Sequence, residues 1–196
     1  MSIGGEATVT GKPLQLQADR SVRPAVLSDA PFIAQMQAAG LIASLEASLV
    51  AELDPAVLAS LQDPRVEQTW RQTLSAPAQA DVVVLTAVDG ATVCGFALGI
   101  LAPADTQHLE LSKPGVEIAA LEIAADHRRA GHGSRLLAAL NDSFKGRAAH
   151  INTWICQADD ARIRFFQEAG FAPSGLQRKL AVGEQTVIQH LWWALL

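Results

Sequence analysis

A mixed α/β fold, one sheet with helices on both faces, is what this sequence predicts, and three observations predict it. Short apolar runs bounded by Gly and Pro alternate with segments whose apolar residues recur every three or four positions. The tight-turn signal Asp89-Gly90 joins two such runs into a hairpin, so part of the sheet is antiparallel. Between Val116 and Ala169 strands and helices alternate singly, which is the pattern of a parallel crossover.

In chain order, Met1 to Pro13 holds three glycines and little periodicity and is expected to be a tail, with a single domain over residues 14–196. Leu14 to Pro24 alternates like a strand. Ser28 or Asp29 is placed to cap a helix that accepts Pro31 in its first turn and buries Phe32, Ile33 and Met36. Gly40 is expected to end that helix, and Leu41, Leu45 and Leu49 to mark a second one. Asp54-Pro55 and Asp63-Pro64 each set a capping carboxylate before a first-turn proline. After the second pair, Val66, Trp70 and Leu74 form a core-facing stripe.

Val82 to Val88 and Thr92 to Leu101 are the hairpin strands, followed by a polar loop from Pro103 to Gly115 and a strand from Val116 to Ile123. Gly131-His132-Gly133 opens a helix with Leu136, Leu137 and Leu140 on one side. Ile151 to Cys156 is a strand, Asp159 to Ala169 a helix, and Leu176 to Val182 with Thr186 to Ala194 a closing hairpin. Both faces of the last strand are apolar around Trp192-Trp193, so burial on both sides is expected, part of it against a partner if the chain dimerises.

Composition narrows the function classes. A chain of 196 residues with 49% hydrophobic and 18% charged residues is globular and suits one domain. A net charge of −5 argues against a non-specific nucleic-acid binder and mildly favours a cationic substrate. Cys94 and Cys156 have no CxxC spacing and are expected to be reduced, buried thiols of a cytoplasmic protein. No stretch is long and apolar enough for a membrane span to be expected, and Met1 to Lys12 lack the basic and apolar runs of a signal peptide, so none is expected.

Chemistry concentrates in one segment, where the apolar strand Val116 to Ile123 runs into Ala124 to His127 and then Arg128-Arg129-Ala130-Gly131-His132-Gly133-Ser134. A basic, glycine-punctuated turn opening a helix is an anion site, because its first N–H groups lack intrahelical partners and lie at the positive end of the helix dipole. Two glycines alone also make an ordinary tight turn. The spacing is neither GxxxxGK[ST] nor GxGxxG, which leaves a nucleoside-triphosphate loop unsupported and disfavours a dinucleotide fold.

Arg128-x-x-Gly131-x-Gly133 resembles the (Gln/Arg)-x-x-Gly-x-(Gly/Ala) signature of the GNAT superfamily of acyl-CoA N-acyltransferases. Leu121-x-Ile123 before it, Leu136-Leu137 after it, and the hairpin residues Cys94-Gly95-Phe96 are similar to the family's flanking elements. Asp160 to Phe171 resembles its Asn-x-x-Ala-x-x-Phe-Tyr-x-x-x-Gly-Phe segment. The likeness spans Val22 to Trp193 and is most specific from Glu117 to Phe171. It implies a mostly antiparallel sheet with one splayed parallel pair, acetyl-CoA as co-substrate, no metal, and a small-molecule or peptide amine as acceptor. A monomer or a homodimer is compatible with it.

By this resemblance, Arg128, Arg129, Ala130, Gly131, His132, Gly133 and Ser134 hold the pyrophosphate, and the backbone of Leu121 and Ile123 holds pantetheine. Glu122 is counted with that cofactor-binding strand, although simple alternation puts its side chain on the far face as a structural group. Glu117 is the expected catalytic base, on a face shared with Ala119, Leu121 and Ile123. Asp159 or Asp160 replaces the family's cofactor-contacting asparagine. Phe166 stands where relatives place an acidic tyrosine, and the chain has no tyrosine at all. An acyl-CoA-binding module without catalysis is therefore the competing reading. His127 and His132 have no metal-ligand spacing, and His132 is expected to be exposed.

Overall fold

The strand and helix order predicted from periodicity is the order found in the computed structural model, which describes residues 20–77, 79–104 and 112–196. The predicted tail, residues 14–19 of the predicted first strand and most of the loop after residue 104 lie outside the described residues.

The strands are β1 (Arg20–Pro24), β2 (Val82–Asp89), β3 (Thr92–Ala102), β4 (Gly115–Ile123), β5 (His150–Cys156), β6 (Ala172–Val182) and β7 (Gln185–Leu195). They form a seven-stranded sheet in the order β1-β2-β3-β4-β5-β7-β6. Every pairing is antiparallel except β4 with β5. The helices are α1 (Ala30–Glu46), α2 (Pro55–Leu61), α3 (Pro64–Ser75), α4 (His132–Phe144) and α5 (Asp160–Glu168).

Two apolar clusters sandwich the sheet. On one face Leu136, Leu140 and Phe144 of α4 pack against Val116, Ile118 and Leu121 of β4. On the other, Ile33 of α1 and Trp70 of α3 pack against Phe96 and Ala120. Trp70 meets Phe96 edge-to-face with ring centroids 5.5 Å apart, and its indole N–H donates to Gln37 Oε1 at 2.7 Å. Of the C-terminal tryptophans, Trp192 is buried and Trp193 is half-buried against His150.

Both Asp-Pro pairs cap as predicted: Asp54 accepts from the Ala56 N–H at 2.7 Å and Asp63 from the Arg65 N–H at 2.8 Å. Gly40, by contrast, does not end a helix. α1 runs straight through it to Glu46. The glycine answers a packing demand, because a Cβ there would overlap the carboxylate of Glu122 on β4. The predicted second helix is the C-terminal part of α1.

Candidate functional site

β4 and β5 are paired over only three residues, Gly115 to Glu117 against His150 to Asn152. At the next position the main chains have already parted, and the Thr153 hydroxyl bridges to the Ile118 carbonyl at 3.1 Å. Beyond this fork β4 has no strand neighbour on that side among the described residues. Side chains occupy part of its edge instead: Arg162 donates to the Leu121 carbonyl at 3.4 Å and Arg128 to the Ile123 carbonyl at 3.3 Å. The predicted splayed pair is thus present, and Leu121 and Ile123 line its open arm.

The alternation predicted for β4 is broken. Leu98 of β3 pairs with Ala120 and Gly99 with Ile118, so Ala119 is an extra, exposed residue in β4. The bulge reverses the face assignment downstream. Leu121 packs with α4 among Val116 and Ile118, whereas Glu122 points at Gly40 of α1 on the other face. Glu117 therefore shares its face with Ala120 and Glu122, not with Leu121 and Ile123. A period-two reading cannot register an inserted residue.

A cavity of about 530 Å³ lies over the fork, lined by Glu117, Thr153, Trp154, Phe166 and Arg178 among others. Glu117 is half-buried at its wall. A second hollow of about 410 Å³, lined by Met36, Thr92 and Ala124 to Arg128, lies toward the glycine turn. Glu122 borders both.

That turn has the backbone of an anion cradle. A 3-10 turn, Ala125–His127, leads to Arg129 at φ 61° and Gly131 at φ 81°, both left-handed. Gly131 is the N-cap of α4 and no side chain caps the helix, so the first N–H groups of α4 lack a side-chain acceptor. Arg128, Arg129 and Ser134 are exposed beside them and Ala130 is half-buried. Gly133 lies so close to the Phe165 ring that a Cβ would come within 3.0 Å of it.

Of the predicted site residues His132 sits otherwise than expected, and Asp159 and Phe166 are held in the interior. His132 is buried, with 1% of its surface exposed, its Nδ1 3.5 Å from Cys94 Sγ and its Nε2 3.7 Å from Asp89. Burial lowers its pKa and pushes the Cys94 thiol up. Asp159 is not turned to an open surface: it caps α5 through the Arg162 N–H at 3.1 Å and pairs with the Arg162 guanidinium at 3.1 Å. Phe166 is buried between Phe165 and Phe171, edge-to-face with both.

Sequence reasoning gave no role to Arg162. It joins Glu122, Asp159 and the carbonyls of Leu121 and Gly40, tying β4, α5 and α1 together. Burial raises the Glu122 carboxyl above its ordinary range, against the pull of Arg162. The legible half of this cluster was Asp159 and Arg162, three apart at a helix start. The other half depends on the bulge.

A mostly antiparallel sheet that opens one parallel pair beside a glycine-started helix defines an acyltransferase-type fold. Residues 46–171 match the family described as Acetyltransferase (GNAT). That is more than half of the chain, which belongs to the GNAT acetyltransferase family. A sequence search among curated proteins found no match. Among solved structures, the fold is similar to Arabidopsis thaliana NAA60 in complex with a bisubstrate analogue, at TM-score 0.66 and 12% identity, over 90% of this chain and 97% of that one. A GCN5-related N-acetyltransferase from Rhodopseudomonas palustris gives TM-score 0.65 and 17% identity, over 92% and 98%. The ribosomal-protein-alanine N-acetyltransferase from Brucella melitensis gives 0.60 and 17%, over 89% and 99%.

Proposed function

We propose that this chain moves an acetyl group directly from acetyl-CoA to a primary amine of a small molecule, peptide or protein. The observation that carries this reading is the fork: β4 and β5 part after Glu117, and the uncapped start of α4 stands at the far end of the open arm.

In this reading the free N–H groups around Gly131 to Ser134, with Arg128 and Arg129, hold the pyrophosphate. Pantetheine lies along β4 as a substitute strand, with its thioester near the fork. Glu117 takes a proton from the acceptor ammonium, directly or through one water. The neutral nitrogen attacks the thioester carbonyl carbon, the C–S bond breaks, the new amide nitrogen gives up its extra proton to solvent, and the thiolate takes a proton from solvent. Both cysteines are free and buried, which suits a reducing cytoplasm, and among the described residues no helix is long and apolar enough to cross a membrane.

Titration calorimetry with acetyl-CoA, followed by a thiol-release screen across amines and peptides, tests the reading. Binding together with acceptor-dependent thiol release is expected. Binding without release from any acceptor would favour the non-catalytic module, for which Phe166 in the tyrosine position is the specific argument.

Two substitutions probe the proton steps. Glu117→Gln should lower turnover roughly 100-fold or more below neutral pH, where the acceptor is most protonated, and less in alkali. A pH–rate profile superimposable on the parent's would remove Glu117 from the mechanism. Phe166→Tyr should leave the rate equal or raise it, since a hydroxyl there can protonate the thiolate. Severe loss of rate in a folded variant would show that the ring does not approach the leaving sulfur.

A further inference from the structure

We propose that Cys94, His127 and His132 form a binding site for zinc or a similar borderline-soft divalent cation, on the inner side of the glycine turn. The proposal does not depend on the acyl-transfer reading.

Cys94 is remote in sequence from the two histidines, which lie five positions apart on either side of the glycine turn, and a bulge brings it to them. Ala87 of β2 pairs with Gly95 and Val88 with Val93, so Cys94 is the extra residue of β3. His127 closes the 3-10 turn before the arginines, and His132 is the first residue of α4. One ligand atom from each lies within 4.8 Å of the other two. Cys94 Sγ and His132 Nδ1 are 3.5 Å apart, close to the sulfur–nitrogen edge of about 3.5 Å that tetrahedral zinc imposes with Zn–S of about 2.3 Å and Zn–N of about 2.0 Å.

The surroundings suit a metal better than a plain core. The His132 ring is buried, and its Nε2 has no hydrogen-bond partner. Asp89 lies 3.7 Å from that nitrogen, and Asp126 lies 3.8 Å from His127 Nε2. The carboxylate beside Nε2 of His132 would fix its Nδ1, the atom that faces Cys94 Sγ, as the lone-pair atom, which is how metal-ligating histidines are usually oriented. Arg20 shares Asp89 at 3.1 Å, and the charges of Arg135 and Arg20 both oppose a cation beside His132, so the site must tolerate them. As the S–Zn bond forms, the Cys94 proton leaves to solvent, and water takes the fourth position.

His127 and His132 bracket Arg128 to Gly131 and Cys94 lies on β3, so a bound ion would fasten that turn to the β2–β3 hairpin. The test uses the full chain without an affinity tag, washed with chelator. Zn²⁺ affinity is measured by competition with a chromophoric chelator, and Co²⁺ is added as the spectroscopic probe. One equivalent should bind, with a thiolate-to-cobalt charge-transfer band. Cys94→Ser should abolish the band, and Cys94→Ser and His127→Ala should each weaken affinity by at least about 100-fold, beyond what loss of an outer-shell partner usually costs. His127 is half-buried and keeps the test valid if the serine variant does not fold. A band that survives Cys94→Ser, an affinity untouched by His127→Ala, or a parent chain that takes up no zinc would each overturn the site.

Discussion

Gly131→Val is expected to lower acetyl-CoA affinity about 100-fold or more while leaving the domain folded. Gly131 holds φ 81° at the N-cap of α4, a region that a β-branched residue occupies only with strain. That strain costs roughly 1–2 kcal/mol, well below the usual ~5–15 kcal/mol stability of a domain. Relief of the strain re-aims the neighbouring amides. Loss of two charge-assisted hydrogen bonds to the pyrophosphate, at about 1.5–3 kcal/mol each, is enough for the affinity change. Gly146→Val is the control: it carries φ 78° at the other end of α4, with nothing within 4 Å of its Cβ position. It should cost similar stability and leave affinity alone. Thermal melts and calorimetry on both variants decide the matter. Equal acetyl-CoA affinity in Gly131→Val and parent would detach the pyrophosphate from this turn.

Why this turn was readable and its surroundings were not is a matter of range. The two Asp-Pro caps, the Asp89-Gly90 turn and the Gly131-His132-Gly133 start act within a few residues, so their spacing carries the structure. Gly40 looked like a helix terminator because the sequence does not show that Glu122, on a strand far along the chain, needs the space of its missing Cβ. The same strand misled in a second way. Ala119 is added to β4 by its register with β3, a non-local pairing, and from there onward every inferred face is reversed. His132 was expected outside because it fills the variable position between the two glycines of the signature. The bulge at Cys94 and the carboxylate of Asp89 instead make a pocket for its ring. The fork itself was legible only through family likeness, since nothing in the residues of β4 or β5 announces where pairing stops.

Arg162→Met should cost roughly 3–5 kcal/mol, the range for removing one partner of a buried ion pair. For a chain of this size that corresponds to a fall in Tm of roughly 6–20 °C. The side chains of Glu122 and Asp159 are 10% and 9% exposed, and both lean on this guanidinium. Without it two carboxylates remain inside with no paired cation, only the more distant charge of Arg128 acting on Glu122, and the carbonyls of Leu121 and Gly40 lose a donor. The pH dependence gives a second handle. Burial already holds the Glu122 carboxyl above its ordinary range, opposed by Arg162. A carboxyl raised on folding favours the native state most in acid, below its unfolded pKa, and that contribution is lost as pH rises through the folded pKa. Removing Arg162 removes the opposition and lifts the folded value further. The deficit of the variant should therefore be smallest in acid and widen toward neutral pH. Adding Glu122→Gln should recover part of the loss at neutral pH, because an amide needs no counter-charge. Denaturant melts across pH on the parent, the single and the double variant measure all three quantities. A deficit under about 1 kcal/mol, the range of a solvated surface pair, would mean that the Glu122–Arg162–Asp159 cluster does not hold β4 against α1 and α5.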